Sequence, residues 1–181
     1  MSMPYDAPPD WLDRELVLSF FWRFSVFECA LKRSGFLLPG SNHAAKPDWS
    51  KFGMSIRGRF EAVRANGFQE ALRKLKETSP RRQVFLDGQL GWEPIKRQDS
   101  ESEEEFVLRL LKTVRNNLFH GGKYPDGPID EVARDKEILR AALGVLEGCY
   151  ELHPGVAHWV KEAGITSPSS QPPEAPAELK H

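Results

Sequence analysis

Leu12, Leu16, Phe20, Phe24, Phe27 and Leu31 recur at three- and four-residue steps, the spacing that keeps side chains on one face of an α-helix. Val17, Phe21 and Trp22 widen that apolar arc. A helix so broadly apolar has to lie at the centre of a bundle or be covered in a subunit contact. Trp11 to Ser34 therefore reads as one long helix, with Asp10 placed to cap its start and Ser34-Gly35 to stop it.

Three further segments carry the same period. Ser50 to Leu75 reads as helical in two pieces that break near Asn66-Gly67, after which Phe68, Ala71, Leu72 and Leu75 open a new face. Ser102 and Glu105 form a capping box, with Glu101, Glu103 and Glu104 favouring the positive end of the helix that follows. Phe106, Leu110, Val114 and Leu118 run down that helix, supported by Val107 and Leu111, and Gly121 ends it. Asp130 to Glu151 is the last long helix, and Val156 to Ala163 adds a short one beyond Pro154. Residues 36 to 50 read as a loop. Residues 78 to 100 read as irregular, with two choices for Val84-Phe85-Leu86 and Trp92: a hairpin around Asp87-Gly88, or a loop packed on the helices. The expected fold is all-α, a bundle of four main helices with extra short helices and an inserted loop region. A single domain over 1–163 is expected, followed by a disordered tail over 164–181, rich in Ser, Pro, Glu and Ala from Thr166.

With 181 residues the chain has room for a substantial core. A net charge of -1 excludes a global basic field. No apolar run reaches the roughly 18 residues of a membrane span, so no membrane partner is expected. Acids and prolines near the N-terminus replace the basic start of a signal peptide, and a cytoplasmic location is expected. Cys29 and Cys149 fall in apolar helical segments and read as buried, reduced thiols. No CxxC or HxxxH spacing supports a metal site, and no cofactor is expected. Locally the stretch from Lys51 to Arg82 is basic, either as a solvated helix surface or as an electrostatic path for a polyanion.

The segment Arg115-Asn116-Asn117-Leu118-Phe119-His120-Gly121-Gly122 joins two chemistries at one helix end. Arginine binds phosphate through a planar fork of donors, and histidine is the side chain whose unperturbed pKa lies nearest neutrality. At about 100° per residue, Arg115 and His120 stand about 140° apart, while Asn116 and His120 share a face. Two routes bring Arg115 and His120 together. His120 swings inward on a fraying last turn, or two copies of the helix meet across a two-fold axis. The alternative role is structural: a histidine capping the helix and an arginine in a surface ion pair.

From Val114 to Lys123 the chain resembles the signature of HEPN domains, an all-α superfamily marked by an arginine, commonly a polar residue next, and a histidine four to six residues on. Phe20 to Lys32 resembles the aromatic first helix of plasmid- and defence-associated HEPN-like proteins. The resemblance covers roughly residues 12 to 150; Trp49 to Trp92 looks like an insertion. It implies a metal-independent endoribonuclease acting as a homodimer, in a toxin–antitoxin or defence system, with RNA as substrate and an antitoxin or regulatory protein as further partner. By the same resemblance Arg115 would bind the scissile phosphate, His120 would take the acid/base role, Asn116 would support the site, and Glu28 would face the motif helix. Other members keep the fold as non-catalytic modules that bind nucleotide, RNA or protein.

Overall fold

The computed structural model describes residues 13–119 and 129–165. They form six α-helices and two small antiparallel sheets: α1 (Arg14–Arg33), β1 (Leu37–Pro39), β2 (Ala45–Pro47), α2 (Trp49–Ser55), α3 (Phe68–Thr78), β3 (Arg81–Leu86), β4 (Gln89–Pro94), α4 (Glu103–Phe119), α5 (Ile129–Cys149) and α6 (Pro154–Glu162).

α1 begins later than the periodicity suggested. Its cap is Asp13, not Asp10, and the Asp13 carboxylate accepts from the Leu16 amide at 3.1 Å. Its end is a Schellman motif: the Phe36 amide donates to the Leu31 carbonyl and the Gly35 amide to that of Lys32, at 3.0 and 3.2 Å. Gly35 adopts φ 85°, which a residue without Cβ accepts most easily. Phe20, Phe24, Phe27 and Leu31 point into the core, and α1 packs on α5 and α6. Arg23 pairs with Glu147 of α5 at 2.9 Å.

The core is one continuous cluster joining all six helices. α3 lies closest to α5, because glycines on α5 leave room for it. A Cβ on Gly144 would sit 2.9 Å from Cβ of Ala71, and one on Gly148 would fall inside the Phe68 ring contact. Gly53 likewise lets α2 approach Glu105 and Leu108 of α4.

Three expectations need correction, and the open choice over 78–100 falls to the hairpin. The loop over 36–50 holds the β1–β2 pair, in register Leu37↔Pro47, and α2 starts at Trp49 on an Asp48 cap. The irregular stretch over 78–100 contains a hairpin whose Asp87-Gly88 turn has φ 50° and 80°, both in the left-handed region that a tight two-residue turn requires. Cys29 is exposed, because it sits on the outer side of α1; Cys149 is buried. The boundary at 164 falls too early: Gly164 closes α6 and Ile165 packs into the core. The turn at Tyr124–Pro128, the Gly121 stop and the segment from Thr166 lie outside the described residues.

Candidate functional site

α4 carries Arg115 and Asn116, and its position follows from its first turn. The Glu105 amide donates to Ser102 Oγ at 3.2 Å, and the Ser102 amide donates to Glu105 Oε2 at 2.9 Å. This is the reciprocal box expected from the sequence. Arg57 adds a 2.8 Å ion pair to the same Glu105 carboxylate. That set of donors holds the Glu105 carboxyl below its ordinary range, the Ser102 amide contributing most. Val107, Leu108, Leu110, Leu111 and Val114 are buried, with Phe106 and Leu118 packed partly against the core. Glu104, read from sequence as a helix-start charge, is instead only 4% exposed. It adds to the effect of burial in pushing the Cys149 thiol pKa up, so that thiol stays protonated.

The last turn of α4 leaves the core. Arg115 is half-buried and Asn116 exposed. Arg115 Nη1 donates to Asn116 Oδ1 at 3.2 Å, and the guanidinium carbon lies 5.2 Å from the Phe119 ring centre. Phe119 in turn meets Phe21 of α1, with centroids 5.1 Å apart. Arg115 is thus held by a neutral amide and a ring face, and among the described residues no carboxylate pairs with it. A guanidinium held this way keeps donors free for an anion. His120 lies outside the described residues.

Glu28 engages a different partner. Its Oε1 accepts from the indole N–H of Trp49 at 3.3 Å. Trp49 is largely buried and packs on Phe24 and Phe27 at 5.3 and 5.5 Å. Glu28 therefore satisfies a buried donor. Nothing in the sequence links the two, which stand 21 residues apart.

Around the motif turn lies an apolar surface. Leu18, Phe21 and Trp22 on α1 and Phe119 on α4 are all exposed, Leu18 at 67% and Trp22 at 55%. The basic run from Lys51 to Arg82 is largely neutralised, mostly by carboxylates of other segments. Arg57 pairs with Glu105, Arg73 with Glu70 and Glu77, Lys74 with Glu137, Lys76 with Glu103, and Arg82 with Glu93. Arg59 and Arg64 donate to main-chain carbonyls. Among the described residues no three His, Cys, Asp or Glu side chains gather as a metal site, and no helix is long and apolar enough to cross a membrane.

No family model, no curated protein and no solved structure matches the chain.

Proposed function

We propose that the chain is a metal-independent endoribonuclease of the HEPN type, working as a homodimer. The observation that carries this reading is Arg115. It sits on the last turn of a firmly capped helix, touches Asn116 and Phe119, and has no carboxylate partner among the described residues. The reaction would be transesterification. The RNA 2′-hydroxyl attacks the adjacent phosphorus, the bond to the 5′-oxygen breaks, and the products are a 2′,3′-cyclic phosphate and a 5′-hydroxyl. Arg115 would stabilise the charge on the phosphorane, and His120 would move protons at the attacking or leaving oxygen. DNA lacks the attacking hydroxyl and would not be cut.

The exposed stripe of Leu18, Phe21, Trp22 and Phe119 supports the dimer, since a second copy placed there would bring two motif turns to one cleft. The test is a mixed RNA pool incubated with the parent and with His120→Ala, each with and without EDTA. Cleavage by the parent alone, unaffected by chelator and leaving cyclic phosphate ends, is the expected result. Chelator-sensitive cleavage, or equal cleavage by both proteins, sinks the proposal.

A second reading is favoured by Glu28. Its carboxylate is used by Trp49 and, among the described residues, not by the motif helix, as suits a module that binds RNA, a nucleotide or a protein without cutting. RNA bound but left intact by the parent would select it.

A further inference from the structure

The β3–β4 hairpin exposes large apolar side chains: Phe85 is 75% exposed, Leu90 66% and Trp92 41%. Phe85 pairs with Leu90, Gln83 with Trp92, and Arg81 with Pro94. Paired residues, and residues two apart in a strand, share a face of the sheet. One face of the hairpin therefore presents Phe85, Leu90 and Trp92, with Arg81 at its root. Successive positions along that face are about 7 Å apart.

Main-chain carbonyls of the hairpin root hold it to the bundle. Asn117 Nδ2 donates to the Arg81 carbonyl at 2.8 Å, and Arg109 Nη2 donates to the Lys96 carbonyl at 2.9 Å. Both donors belong to α4, and Asn117 lies within the motif segment, so the root runs alongside α4 to the motif turn. These bonds use the backbone of Arg81 and Lys96 and leave their cationic heads over. Among the described residues neither head has a carboxylate partner. On the opposite face of the root, where Arg82 is paired with Glu93, opens a groove of about 480 Å³ lined by these two with Ile95, Lys96, Gln98 and Arg109. Within it Arg82 pairs with Glu93 and Arg109 with Glu101, which leaves Lys96 as its cation without a carboxylate partner among the described residues.

Open aromatic rings beside Arg81 and Lys96 suit single-stranded nucleic acid, whose bases offer flat faces and whose phosphates follow cations. A duplex hides its base faces in the stack. We propose that this face of the hairpin is a platform for single-stranded RNA. Phe85 and Trp92 stack on bases, Arg81 and Lys96 hold phosphates, and the strand continues over the end of α4 toward Arg115. The choice of RNA rests on the ribonuclease reading. Stacking itself does not sense the 2′-hydroxyl, so single-stranded DNA is an uncleavable probe of the platform alone.

The experiment is fluorescence anisotropy with labelled single-stranded RNA and DNA of roughly ten nucleotides, a length suited to one such surface, and an RNA duplex for comparison. Both single strands should bind, and the duplex more weakly. Phe85→Leu and Trp92→Leu keep the apolar character and remove the ring; each should raise Kd about tenfold. Phe85→Tyr should bind like the parent, and since these positions are exposed, thermal melts should coincide. Replacing both Arg81 and Lys96 by Gln should flatten the dependence of log affinity on log salt, by up to about 0.7 in slope for each phosphate no longer neutralised.

Parent-like binding by Phe85→Leu overturns the platform, as does failure of every single strand to bind. A Phe85→Ser variant that binds like the parent but sediments as a smaller species also overturns it, assigning the face to a second copy. Binding at the hairpin with no RNA cut leaves the platform standing and removes the ribonuclease. RNA cut by the parent, with Phe85→Leu binding unchanged, does the reverse.

Discussion

Phe21 of α1 and Phe119 of α4 meet at 5.1 Å, and Phe119 also underlies the Arg115 guanidinium. The motif turn and the exposed stripe of α1 are therefore one continuous surface. If a second copy covers the stripe, it also closes over Arg115. Phe21→Ser combined with Trp22→Ser should give a folded monomer by light scattering, with lower RNA cleavage and a melting temperature lowered only by the lost dimer and Phe119 contacts. Cys29 stands seven residues from Trp22, two helical turns along the same side of α1, and is exposed. Its maleimide labelling should slow as protein concentration rises; a rate independent of concentration would count against the dimer.

Arg115 separates chemistry from folding. It is half-buried and, among the described residues, has one hydrogen bond to a neighbouring side chain and one ring contact, so Arg115→Ala should change stability by about 1 kcal/mol or less. Cleavage should fall by about a hundredfold or more, the scale of losing a preorganised transition-state donor. Arg115→Lys should recover little, because it keeps the charge and loses the fork. A folded Arg115→Ala that cuts RNA at the parental rate would remove Arg115 from the site.

Glu28 gives a contrasting outcome. Glu28→Ala strands the indole N–H of a largely buried Trp49, and should cost about 1–3 kcal/mol. Glu28→Gln keeps an acceptor and should cost less. A Glu28→Ala variant with unchanged urea midpoint and reduced cleavage would instead assign the carboxylate to catalysis.

Acid should weaken the fold through His153. Burial, with the nearby positive Arg59 in second place, lowers its pKa below the ordinary 6.5. The native state thus binds fewer protons than the unfolded chain, and stability rises with pH in this window. The contribution is complete above pH 6.5 and is lost as pH falls through the folded value. Urea midpoints measured between about pH 5 and 7.5 should fall on acidification, and His153→Gln should flatten that slope. An equal slope in both proteins would refute the assignment. Glu101 and Glu105 add to the loss at lower pH. Hydrogen bonding from Arg109 to Glu101, and from the Ser102 amide to Glu105, holds both below their ordinary range.

Gly148 reverses the usual rule for helix interiors. Gly→Ala in a helix normally stabilises by about 1 kcal/mol. Here the added methyl would overlap the Phe68 ring, and overpacking of this kind costs about 1–3 kcal/mol. Gly148→Ala should lower the denaturant midpoint, while Gly67→Ala cannot serve as its control because Gly67 has φ 79°. An unchanged or raised midpoint would mean that α3 and α5 separate easily.

Helices α1, α3, α4 and α5 were legible because each repeats an apolar side every three or four residues. The α4 start was legible to the atom pair, since Ser102 and Glu105 form a local signal. β1 and β2 were not legible: each has three residues, ends in proline and shows no alternation. Val84-Phe85-Leu86 is a continuous apolar run, so only the turn residues argued for a hairpin. The exposure of Cys29 followed from which side of a broadly apolar helix faces outward, a choice that neighbouring helices make. At the site, residue types and their spacing named Arg115 and Asn116. The Trp49 partner of Glu28 and the Arg81 partner of Asn117 are tertiary pairings that no local pattern encodes.

The fit between Gly148 and Phe68 makes those two positions a coupled pair in the history of the sequence. Neither residue is free to drift alone: a larger residue at 148 has no room, and a smaller one at 68 leaves a void against a bare backbone. A lineage could exchange them together, Phe68→Leu making space for Gly148→Ala. The double variant should then be more stable than the sum of its single changes predicts. The α3–α5 seam is thus a place where relatives of this chain would keep the same packing with different residues, and where comparing one position at a time would mislead.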